Sequence, residues 1–317
     1  MIASLVPALT VVAVAGTLAG WLATRLGLPA ITGYIVAGVL LSPGVSPVLT
    51  PDQVSHLGGL AWILLALIGY LIGGSIRLAD LRGLARIAVG IVLGQGLLAG
   101  LLTVAVFLLF GWTPALALLF GALAWCAAPA VTLALIRESG CRGQWITLLL
   151  SVVAFSDATA VIGVGLSLEW LAAGQPVAGF SRLLALVRPL LGVVAAIGFG
   201  LACGALLLWA RRFWGNTAGL HRLLPGSALV LCLIGSTWLD LSAILATMAM
   251  GGLLTNAGPA GAVPTLPAWL ERPLFLVFFV ASSTFFDPAV LADVWLIALL
   301  VTLCRCLGKY LGSALAT

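Results

Sequence analysis

The sequence predicts an all-α polytopic membrane protein built on an inverted repeat, and three observations carry that prediction. Hydrophobic residues make up 63% of the 317-residue chain and charged residues only 7%. Soluble domains carry about 25% charged residues. Apolar runs recur along the chain at lengths near the ~20 residues that cross hydrocarbon as a helix. Finally, the segment AGVLLSP, starting at Ala37, is echoed by MGGLLTN, starting at Met250. Gly38 matches Gly251, Leu40 matches Leu253, Leu41 matches Leu254, and Ser42 resembles Thr255, all at an offset of 213 residues.

Eleven spans are expected, at approximately residues 4–23, 30–43, 58–76, 85–110, 114–136, 144–168, 186–210, 223–239, 241–256, 270–287 and 293–315. The first has no positively charged leader and no small-residue cleavage motif, so it reads as a retained span and not a signal peptide. The third ends in GYLIGGSIRLADLR, where Arg77, Asp80 and Arg82 form an interfacial charge cluster. The fifth contains Pro129 in LAWCAAPAVTLAL. Proline removes a backbone donor and clashes with the preceding turn, so this helix kinks or opens near Ala128 and Pro129. The sixth carries Asp157 in SVVAFSDATAV. The eighth and ninth are short and nearly contiguous. The eleventh carries Arg305 and Lys309 in LCRCLGKYLGS, spaced i, i+4 and therefore on one helix face. Gly308 and Gly312 form a small-xxx-small pair in the same span.

Alternate loops collect Arg25, Arg77, Arg82, Arg86, Arg137, Arg142, Arg211, Arg212, Arg222 and Arg272 on one side, and only Arg182 and Arg188 on the other. The positive-inside rule makes the first side cytoplasmic, with the N-terminus outside and residue 317 inside. The second span then runs outward and the ninth inward, so the echoed pair has opposite orientation, as in many secondary transporters. A complete repeat predicts thirteen spans. The counterpart of Asp157 would fall near residue 370 by the same offset, and the chain is expected to lack the last two spans.

A carboxylate at the depth of Asp157 is costly and marks a functional site unless it is merely hydrogen-bonded inside the bundle. Arg305 lies near the middle of its own span. A buried cation needs a partner, and Asp157 is the only firmly intramembrane carboxylate, so the two are expected to pair. Lys309 lies nearer the cytoplasmic end and can snorkel. Asp240, Asp287 and Asp293 fall at span ends and read as solvated. The six cysteines, Cys126, Cys141, Cys203, Cys232, Cys304 and Cys306, show no Cys-x-x-Cys spacing and read as small core residues. His56 and His221 are isolated, so no zinc or iron site is expected. The net charge of +5 is scattered between apolar runs and excludes a nucleic-acid surface. No His-Glu-x-x-His helix, Gly-x-Ser-x-Gly turn or second buried carboxylate points to an enzyme.

These segments together resemble the monovalent cation:proton antiporter superfamily, the sodium/hydrogen exchanger family. RLGLPAITGYIVAGVLLSPG resembles its early glycine-rich signature, GYLIGGSIRLADLR its third-span motif, SVVAFSDATAV its ion-site segment and RCLGKYLG the basic motif of its late core helix. Three departures stand out. Ser75 replaces a common glutamate, Ser156 stands where electrogenic members have an aspartate, and Cys126-Ala127-Ala128-Pro129 replaces a hydroxyl-rich stretch. The resemblance implies a single membrane transport domain over 1–317, with core helices at about 58–168 and 270–317 and dimerisation helices at about 1–56 and 186–256. It implies a homodimer in a bacterial plasma membrane, with no cofactor and no nucleic-acid partner. A monovalent cation, sodium or potassium, and protons would share Asp157, with Ser156 beside it, Arg305 and Lys309 as charge partners, and a second broken helix beyond Thr317. Arginine effectively cannot deprotonate. One titratable carboxylate then implies one proton per cation by alternating access. Two alternatives remain open at this stage: a non-transporting relative or regulatory subunit, and a carrier of another solute on the same fold.

Overall fold

A computed structural model describes residues 2–81, 83–172, 180–214, 220–258 and 268–316. Arg82 and Thr317, with the side chains of Arg182, His221 and Arg222, lie outside that description. Every regular element described is an α-helix: α1 (Ile2–Arg25), α2 (Ala30–Leu41), α3 (Pro51–Ser75), α4 (Leu78–Leu81), α5 (Ala85–Leu109), α6 (Pro114–Trp125), α7 (Pro129–Ser139), α8 (Gln144–Ala172), α9 (Phe180–Trp214), α10 (Leu220–Trp238), α11 (Ala243–Ala257), α12 (Ala268–Ser283) and α13 (Pro288–Ala316).

Each of the eleven expected runs is helical, the fifth as two pieces, α6 and α7. Among the described residues, seven segments are long and apolar enough to cross a bilayer, the α6–α7 segment counted as one. The short turn α4 carries Asp80 and was not expected. α9 begins at Phe180, earlier than the apolar run suggests. The closely spaced eighth and ninth runs are separated by a tight reversal. Asp240 takes a left-handed φ of 52°, which a short polar side chain tolerates. The Leu241 N–H then donates to the Ser236 carbonyl over 2.8 Å, and Ser242 caps α11 by accepting from the Leu245 N–H at 3.5 Å.

The helices pack as two compact units. One unit comprises residues 1–68, 130–141 and 264–294. Its core holds Ala8 and Val12 of α1, Ala37 and Leu41 of α2, Leu57 and Ala61 of α3, and Val280 and Ala281 of α12. The N-cap of α2 is Pro29, which has no side-chain acceptor to offer. Glu138 does so from α7, accepting from the Ala30 N–H at 2.9 and 3.2 Å. Its neighbour Arg137 lies 3.8 Å from Glu271.

The second unit comprises residues 69–129, 142–263 and 295–317. α5 and α8 meet through Ala88, Val92, Leu148 and Val152. α8, α9 and α11 meet around Ala158, Val193, Ala196 and Leu245. Gly200 of α9 lies against the Ala246 backbone, where a Cβ has no room. These two units divide the helices differently from the core and dimerisation sets that the resemblance implies.

The residues matched by the repeat do matching work. In the first unit, Gly38 of α2 abuts Val280 and Ser283 of α12, and the Ser42 hydroxyl donates to the Phe286 carbonyl at 2.6 Å. In the second, Gly251 of α11 abuts Tyr70 and Gly74 of α3, and the Thr255 hydroxyl donates to the Gly74 carbonyl at 2.7 Å. α2 has 12 residues and α11 has 15. At 1.5 Å per residue, 12 residues reach about 18 Å, short of a ~30 Å hydrocarbon core. The two hydroxyl bonds satisfy carbonyls of the neighbouring segments near these helix ends.

Candidate functional site

The site grows from a break in a helix. Ala128 precedes Pro129, and a residue before proline is pushed out of the α region. Pro129 itself suits the first position of a new helix, where its missing N–H is no loss. So α6 stops at Trp125 and α7 starts at Pro129. Cys126 is the C-cap, extended at φ −50° and ψ 141°. The last carbonyls of α6 lose their helical partners, and the negative end of its dipole faces into the protein.

α13 supplies the compensation. Arg305 Nη2 donates to the Cys126 carbonyl at 2.8 Å, and Lys309 Nζ donates to the same oxygen at 2.7 Å and to the Trp125 carbonyl at 3.5 Å. The i, i+4 spacing puts both cations on one face. Gly308 and Gly312 bring that helix onto α5, where Cβ atoms would collide with Ala99 and Gly94. The sequence reading is corrected here on two points. The expected Arg305–Asp157 pair is not formed among the described residues, and Lys309 turns to the break instead of snorkelling away. A broken helix in low dielectric offers carbonyl acceptors that compete with any carboxylate for a buried cation.

Asp157 is the fourteenth of the 29 residues of α8. It is 8% exposed. α8 approaches α6 through Gly163, which sits against Ala122, and this brings the carboxylate to the break. The Cys126 thiol lies 2.9 Å from Asp157 Oδ1 and 3.1 Å from the Ala127 carbonyl, so its single proton serves one acceptor at a time. Ser156 is fully buried, and its Oγ accepts from Gln95 Nε2 on α5 at 2.9 Å. The structure therefore gathers Asp157, Ser156, Pro129, Arg305 and Lys309 in one unit, with Ala128 in the break itself.

Two residues of the cluster went unread in the sequence. Cys126 was grouped with the core cysteines, because its thiol has meaning only once α8 is placed beside it. Gln95 had a visible signal, a lone carboxamide between two glycines in the apolar run IVLGQGLLAG.

Similarity to known proteins agrees with this architecture. The family model described as "Sodium/hydrogen exchanger, transmembrane" matches residues 11–317. Among solved structures, the chain is similar to the sodium proton antiporter MjNhaP1 from Methanocaldococcus jannaschii, with a TM-score of 0.71 at 18% identity, covering 96% of this chain and 77% of that one. At such identity the likeness is one of fold. The family match spans nearly the whole sequence, and the chain belongs to the sodium/hydrogen exchanger family, a family of transporters and not of enzymes.

Proposed function

We propose that this protein exchanges a monovalent cation, sodium or potassium, for protons, with Asp157 as the site that both occupy in turn. One observation carries the reading. Asp157 is buried at mid-span beside a helix break, and no Arg or Lys among the described residues pairs with it. A buried carboxylate without a resident counter-ion must find one, and a proton or a mobile cation meets that need. Both cations nearby are already committed to the α6 carbonyls.

In this reading the core helices, about 58–168 and 270–317, carry the loaded site between the two faces of the membrane, while the helices at about 1–56 and 186–256 form the scaffold of a homodimer. Positive-inside asymmetry supports an N-terminus outside a bacterial plasma membrane. The empty, charged site moves poorly, and that couples the two fluxes. One titratable acid gives one proton per cation and no net charge moved. Lys309 is the other group at the break able to release a proton, and exchange that responds to membrane potential would assign it that role.

The test is exchange in proteoliposomes with sodium, lithium and potassium, followed by a pH dye. Asp157→Asn should abolish it while leaving the protein folded. Wild-type rates from that variant would remove Asp157 from the mechanism.

A further inference from the structure

We propose that Gln95 is a positioning residue of the ion site, holding Ser156 and through it setting the pose of the Asp157 carboxylate. This role presupposes that Asp157 is the exchange site. Gln95 is the eleventh of the 25 residues of α5, whose other polar residues are Arg86 near its start and Thr103, and it is 8% exposed. A carboxamide at that depth costs free energy unless it is hydrogen-bonded, and leucine would fill the space without that cost. The bond it makes runs to Ser156, from Nε2 to Oγ, at 2.9 Å.

Ser156 precedes Asp157 directly on α8. A tether on one residue of a helix fixes the rotation of its neighbour, because successive side chains are set about 100° apart. The flanking glycines tie the same stretch of α5 to the rest of the site. Gly94 lies against Gly312 of α13, the helix that carries both cations. Gly96 lies against the indole of Trp125, the last residue before the break. Three consecutive residues of α5 thus touch the three helices that build the site, and the polar one of the three is bonded beside the carboxylate. A bond placed there governs how well a cation is held more than how fast the loaded site moves. Its loss belongs in KM.

The experiment uses the full chain in liposomes with sodium as the probe. Gln95→Leu and Ser156→Ala should each raise the KM for sodium about three- to tenfold, with kcat changed less than about twofold. The double variant should be no worse than the poorer single one, since both remove one bond. An unmoved KM in Gln95→Leu, or effects that multiply in the double variant, would overturn the role of Gln95 alone. If Gln95→Leu fails to fold, Ser156→Ala decides by the same criterion, a raised KM sustaining the role and an unmoved one overturning it. Absence of exchange in the wild type would overturn the reading of Asp157 and this role with it.

Discussion

At the scale of single residues, Asp157 differs from an ordinary buried acid in what surrounds it. A thiol, a weak donor, is the group that meets its Oδ1. In the proposed reading, charge neutralisation is left to whatever enters from solution. Protons and cations then compete for the same oxygens, and the sign of the competition follows directly. Lower pH fills the site with protons, so the apparent KM for sodium should rise as pH falls, approaching about tenfold per pH unit once protons dominate. Initial rates of exchange across a pH series measure this, and a KM independent of pH would contradict a shared site. The mid-helix burial of Asp157 was legible in the sequence because an acid in a long apolar run stands out by its cost. The engagement of Cys126 and Gln95 was not, since each depends on a neighbour supplied by another helix.

At the scale of elements, the break between α6 and α7 organises everything near it. Pro129 announced the interruption in the sequence. The destination of Arg305 and Lys309 was hidden, because an orphaned carbonyl is a property of backbone geometry and has no letter of its own. Either cation alone can satisfy the Cys126 carbonyl, so the two should back each other up. Arg305→Met and Lys309→Met singly should be tolerated better than the pair. The double variant should lose about 1–3 kcal/mol beyond the sum of the single losses, the cost of leaving a buried acceptor unpaired. Thermal unfolding of the purified variants in detergent measures that coupling, and strictly additive losses would show that the shared carbonyl is not what holds the cations there.

At the scale of the whole molecule, the repeat was legible as a seven-residue echo, and its structural meaning lies in which helices meet. Ser42 and Thr255, matched across 213 positions, make equivalent hydroxyl-to-carbonyl bonds at equivalent helix ends. The long, uniformly apolar spans were also plain from composition. The reversal at Asp240 and the short α4 were not, because single turns leave no periodic signal. The count of titratable groups bears on the entire transport cycle. If Asp157 alone exchanges its ligand, as proposed, exchange should be insensitive to an imposed potassium–valinomycin potential across the liposome. A rate that changes with that potential would mean that a second proton site travels with the cation.

Two cationic heads resting on one oxygen act as a rivet driven through α6 and α13. In the proposed reading, helices joined that way move as one body. The break before Pro129 thus turns a lost helical bond into a tie between two helices.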